Sequence, residues 1–324
     1  MPLSALHTID IQAPYWHGWL DYLTHLPSYL TSSRLPLSQD EITQQNHSSY
    51  TSQTDNQAVF TIIDKQPTLD DHNVPAEGKV AYFLNQIAPA YFTQVLGKSF
   101  VAQSSLPTNF AYESFIFEQH KIPTRDGLHD FFNGLCWFLF PRTKQVFNQL
   151  HQQQIQQLGS TQRGRIRDRL TIMDENGFLI SCPDALWEAL VRKNWLQAFV
   201  ELRHLWQQSK VMVFGHALLE KLVNPYKAIT AHAIRIPLEV VAPMPLGVDD
   251  APHSYTPQDI TALDHYLSHW LNEKSLQEKP YIPLQIFGIP TWSSEVQDLN
   301  FYQDKTVFRS PLQPLNRQMK TKFL

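Results

Sequence analysis

From Leu128 to Phe140 the chain sets Leu128, Phe131, Leu135, Phe138 and Leu139 three or four residues apart, so they fall on one face of a helix. Asp126, His129, Asp130 and Asn133 fall on the other face, which then turns apolar at Trp137 and Phe140. The spacing predicts a helix from about Asp126 to Phe140, with Thr124 or Asp126 as its cap. Pro141 breaks it and suits the first turn of a second helix, "PRTKQVFNQLHQQQIQQ", along which Lys144, Asn148 and His151 form another polar line.

The same reading extends along the chain. "YWHGWLDYL" predicts a short aromatic helix, and "VAYFLNQIAPAYFTQVLG" one or two more. "STQRGRIRDR" reads as a basic connector, followed by "LTIMDENGFLIS", a hairpin turning at Asn176-Gly177. "PDALWEALVRKNWLQAFVELRHLWQQ" carries helical spacing, "KVMVFGHALLEKLVNP" reads strand, Gly215 turn and helix, and "AITAHAIRIPLEVV" reads as a strand. Thr256, Pro257 and Asp259 open a capped helix whose apolar stripe is Ile260, Leu263, Leu267, Trp270 and Leu271. The fold class is α+β, predominantly helical with a small sheet or hairpins, and with a single main domain. Residues 1–100 form an N-terminal helical region with a polar insertion at about 31–57, too poor in apolar residues to offset its ordering entropy. Residues 101–324 form the main domain and end in a Pro-rich wrapping segment.

Composition narrows the classes. Apolar residues are 43% and charged residues 17% of the chain, so a large core faces an unusually uncharged polar surface. A net charge of −4 gives no basic field for nucleic acid or anionic membrane. "FFNGLCWFLF" is too short to span a bilayer, and the N-terminus lacks the pattern of a secretory signal. Cys136 and Cys182 sit among apolar neighbours and read as core residues in a reducing compartment, which fits the cytoplasm.

The polar stripe is the candidate site. A histidine beside a carboxylate suits a general base, so His129 and Asp130, joined by His216 at the Gly215 turn, are the candidate catalytic residues, with hydrolysis the matching reaction class. Arg125, Asn133, Lys144, Asn148 and His151 would bind a small anionic ligand. His232, Asp174 and Glu175 are weaker candidates, expected to be a core histidine and a solvated turn. Imidazoles and carboxylates also bind divalent metals, and the pattern leaves the metal open. Two alternatives remain: a binding or scaffold protein whose polar stripe is a structural network, and nucleic-acid binding through Arg163, Arg165, Arg167 and Arg169. No Gly-rich phosphate loop, paired CxxC, HExxH or GxSxG occurs.

The blocks "IPTRDGLHDFFNGLCWFLFPRTK", "RDRLTIMDENG", "FGHALLEKL", "TAHA" and "PLQIFGIPTW", with "NFYQDKTVFR" after them, resemble in this order those of a proteobacterial domain-of-unknown-function family, DUF3025. The resemblance runs from roughly Tyr112 to Arg309. It implies that these blocks belong together and brings no activity.

Overall fold

The computed structural model describes residues 3–23, 74–159, 162–243 and 251–310. The polar insertion expected at about 31–57 lies outside them. In chain order the helices are α1 (Leu20–Leu23), α2 (Lys79–Gln86), α3 (Tyr112–Gln119), α4 (Leu128–Leu139) and α5 (Pro141–Leu158). They continue with α6 (Arg165–Asn176), α7 (Asp184–Val191), α8 (His216–Leu222), α9 (Pro257–Trp270) and α10 (Leu299–Gln303). The strands are β1 (Ser99–Ala102), β2 (Lys121–Thr124), β3 (Gly177–Ser181), β4 (Lys210–Val213), β5 (Thr230–Arg235), β6 (His253–Ser254) and β7 (Ile282–Gln285). The protein is α+β and predominantly helical.

Two compact units interleave along the sequence. The first comprises Met1–Ile11, Trp19–Thr171 and Thr256–Gln277. In it β1 and β2 pair in parallel, Ser99 opposite Lys121, with α3 between them in sequence. The helix at its heart is α4, of which only His129 is less than fully buried. Its face meets α2 closely at Gly134, where a Cβ would lie 2.3 Å from Leu84 Cδ1. Phe140 leaves helical geometry at φ −126° and ψ 53° because the following proline disfavours the α region, and α5 restarts with Pro141 at its first position. The N-terminus of α9 is held by the expected capping box, the Thr256 hydroxyl accepting from Asp259 N and the Asp259 side chain from Thr256 N.

The second unit comprises Gln12–Gly18, Ile172–Tyr255 and Glu278–Leu324. Its five-stranded mixed sheet has the order β6-β4-β3-β5-β7. The central strand β3 reads "GFLIS" and is buried throughout, as a strand covered on both faces must be. It runs antiparallel to β4 and parallel to β5.

The hairpin expected at "LTIMDENGFLIS" does not form. Residues 165–176, including the second half of the supposed basic connector, are the helix α6, and Gly177 starts β3. A type I′ turn needs positive φ at both central residues, whereas Gly177 is absent from the positive-φ glycines. Gly177 instead serves close approach: a Cβ there would lie 2.3 Å from Met173 O and 2.7 Å from Phe214 Cδ1. The overlooked signal was Ile166, Leu170 and Met173, all buried and spaced as one helix face.

Candidate functional site

The polar face of α4 separates into three arrangements, all in the first unit. Asp126 lies before the helix and does not cap it. Its Oδ2 accepts from Gly78 N and its Oδ1 from Val80 N, both at 3.0 Å, so it caps the start of α2. The residue preceding α4 is Gly127, with no side-chain cap of its own. Thr124, the other expected cap, donates its hydroxyl to Ile122 O.

Asp130, in the first turn of α4, forms the second arrangement. Its Oδ2 accepts from Arg125 N at 2.7 Å and Arg125 Nε at 3.0 Å, and its Oδ1 from Arg125 Nη2 at 2.8 Å. Oδ1 also meets His129 Nδ1 at 2.9 Å. Burial raises the pKa of this carboxyl, but the bonds from His129 and Arg125 outweigh it and hold the group well below the usual carboxylate range. An ionised carboxylate only accepts, so His129 Nδ1 carries the proton and the lone pair sits on Nε2. The His129 side chain keeps 36% of its exposure and that of Arg125 64%, while Asp130 keeps 8%. A buried anion thus orients a half-exposed imidazole beside a half-exposed guanidinium.

The third arrangement is a buried network between α4, α5 and α3. Lys144 Nζ donates to Asn133 Oδ1 at 2.8 Å, and Asn133 Nδ2 lies 3.4 Å from the Tyr112 hydroxyl. Asn148 Nδ2 donates to Glu113 O at 2.8 Å and to Glu113 Oε2 at 2.7 Å. The Ser114 hydroxyl donates to Gln152 Oε1 at 2.6 Å. The Trp137 ring carries Lys98 Nζ 5.4 Å and Lys144 Nζ 5.6 Å from its centroid. His151, one turn beyond Asn148, is buried on the same helix. Burial pushes the Lys98 ammonium down to about 8, with the Glu113 charge opposing. Sequence reasoning missed Lys98 and Glu113: they lie on a strand approach and a separate helix, and no spacing links them to α4.

This network predicts a stability effect. Asn133→Ala removes an acceptor of a buried ammonium and should cost about 1–3 kcal/mol in urea unfolding. A loss below about 0.5 kcal/mol would mean that the amide is not part of the framework.

His216 belongs to the second unit. It is the first residue of α8, is buried, and has its Nδ1 3.8 Å from Asp174 Oδ2. Asp174 and Glu175 lie in the last turn of α6, the helix that replaces the expected turn. His232 is on β5, its ring 4.9 Å from that of Tyr281, and burial together with Lys279 and Lys221 pushes it down to about 4, so it is neutral near pH 7. Among the described residues no group of three or more His, Cys, Asp or Glu is placed to hold a metal ion.

Three of the four arginines of the basic cluster bond within the chain. Arg163 Nη2 donates to the Thr171 hydroxyl at 2.7 Å, Arg167 Nη1 to Gln162 O at 3.0 Å, and Arg169 Nη1 to Leu276 O. Among the described residues, no helix is long and apolar enough to cross a membrane.

No curated protein and no solved structure matches this chain. The family model described as "Protein of unknown function (DUF3025)" matches residues 98–311, a stretch that includes the His129–Asp130 pair, the buried network and the sheet of the second unit. The chain therefore belongs to the DUF3025 family.

Proposed function

We propose that this is a cytoplasmic hydrolase acting on a small anionic substrate, with His129 as general base, Asp130 as the residue that positions it and Arg125 as the contact for substrate charge. The observation that carries this reading is the 2.9 Å contact of His129 Nδ1 with a carboxylate whose remaining bonds all come from Arg125. That contact sets the tautomer in which Nε2 can take a proton from water, and the imidazole is exposed enough to meet a substrate. Arg125 keeps most of its surface while its guanidinium is steadied on Asp130, a geometry suited to pairing with a carboxylate or phosphate.

The test is turnover of a panel of chromogenic aryl phosphates and aryl monoesters of dicarboxylic acids. Wild type should hydrolyse at least one, and His129→Gln should lose ~100-fold or more in kcat/KM, the usual share of a general base. The melting temperature should change little, because the ring is half-exposed. Equal rates in wild type and His129→Gln, or no turnover above buffer across the panel, would overturn the assignment.

A second reading is favoured by the Lys144–Asn133 and Asn148–Glu113 bonds. In it, that part of the polar stripe is a framework fixing how α3, α4 and α5 pack, and Asn133, Lys144 and Asn148 contact no ligand. The Asn133→Ala unfolding measurement bears on it directly.

A further inference from the structure

We propose that His265 and His269, at the C-terminal end of α9, form a chelate for a borderline divalent transition metal: Cu2+, Ni2+ or Zn2+. The two residues are four apart on a regular helix, so their rings rise from the same face one turn apart. Their centroids are 4.2 Å apart with planes inclined by 34°. Metal–imidazole bonds of about 2.0–2.1 Å require two ligating nitrogens about 3 Å apart, which rings this close can supply with a small rotation.

The hydrogen bonding prepares one of the ligands. His269 Nδ1 lies 2.8 Å from His265 O. A carbonyl only accepts, so this nitrogen bears the proton and the lone pair is fixed on Nε2. A backbone carbonyl holding the non-ligating nitrogen is the outer-shell arrangement that orients metal-binding histidines. Ser268 Oγ donates to the same carbonyl at 2.9 Å and lies 3.4 Å from His269 Nδ1, which further confines the ring. Both imidazoles are exposed, so an ion reaches them without opening the fold. The inner face of α9, with Ile260, Leu263, Asp264 and Leu267 buried, keeps the helix in place. Two imidazoles leave the other coordination positions to water or a second ligand, and nitrogen donors favour Cu2+, then Ni2+ and Zn2+, over Mg2+.

Calorimetric titration of the whole chain with each metal salt alone tests this. The expected result is one Cu2+ or Zn2+ equivalent per chain whose affinity falls at least 10-fold in His265→Ala and equally in His269→Ala. The double variant should be no weaker than either single, because a chelate is lost with either arm. The chain has 14 histidines, and the single variants separate this pair from the rest. Metal affinity unchanged in either single variant, additive losses in the double variant, or Mg2+ binding equally well would overturn the proposal.

Discussion

Replacing Gly215 by alanine should cost about 3 kcal/mol or more, lowering the melting temperature by roughly 10 °C or preventing the second unit from folding. The reason is not backbone freedom, since Gly215 has φ −75°, which any residue adopts. It is space. A Cβ on Gly215 would lie 2.4 Å from Glu175 O, 2.5 Å from Asn176 N and 2.5 Å from Glu175 C. All three are backbone atoms at the end of α6, and they cannot rotate aside. Nor can the turn retreat, because Gly215 N and Phe214 N both donate to Gly177 O, at 2.8 and 3.0 Å. Opening the contact would break the seam that joins the end of α6, β3 and the start of α8. Gly134 is the informative comparison. A Cβ there meets Leu84 Cδ1 at 2.3 Å, but that atom ends a flexible side chain. Gly134→Ala should therefore cost less, about 1–2 kcal/mol, through repacking. Thermal unfolding of the two variants side by side decides the matter. If Gly215→Ala melts within about 2 °C of wild type, the seam is softer than these distances imply.

The same seam shows how much of the fold was legible in the sequence. Strand, Gly215 turn and helix could be read from "KVMVFGHALLEKL" because β-branched residues, a glycine and helical spacing follow in order. What Gly215 packs against could not, since the partner backbone lies some 40 residues earlier. The Asn176-Gly177 pair gave a false hairpin for a related reason. The dipeptide has two uses, tight turns and close backbone contacts, and only the helical spacing of Ile166, Leu170 and Met173 upstream distinguishes them.

The candidate site follows the same division. Periodicity placed His129, Asp130 and Asn133 on one face of α4, and proximity in sequence was enough to suggest the His129–Asp130 contact. It could not say that Asp126 serves α2, whose capped N–H groups lie 46 and 48 residues away, or that Asn148 binds Glu113. A polar side chain on a buried face announces a need for a partner; the partner's identity is a tertiary fact.

Asp264→Ala should be the second severe change. Asp264 keeps 2% of its exposure on α9, and its carboxylate closes the N-terminus of α5. Oδ2 accepts from Arg142 N at 3.1 Å, and Oδ1 accepts from Thr143 N and from the Thr143 hydroxyl, both at 2.8 Å. Arg142 and Thr143 follow Pro141, so their N–H groups are among the first-turn donors with no acceptor in the helix itself. Alanine would strand two backbone donors and a hydroxyl at a buried junction, a loss of about 3 kcal/mol. Asparagine fares poorly too, because its amide NH2 must face one of those donors. The pH dependence carries a definite sign. Burial raises this carboxyl above its usual value, and the bonds from Thr143 and Arg142 only partly offset it. Its ionisation therefore costs more in the folded chain than in the unfolded one, and the residue's contribution declines as pH rises from about 3.9 through the raised folded value. Asp130 works in the opposite sense: its depressed pKa gives stability that is complete above about 3.9 and lost as pH falls. The gap in unfolding free energy between wild type and Asp264→Ala should accordingly be wider at pH 4 than at pH 7, while that between wild type and Asp130→Ala should be nearly the same at those two values and shrink at about pH 2.5. Urea titrations of the three proteins at the three pH values read the two trends, and a gap for Asp264→Ala that grows with pH would show that its carboxylate, once ionised, gains more from the three donors than burial takes away.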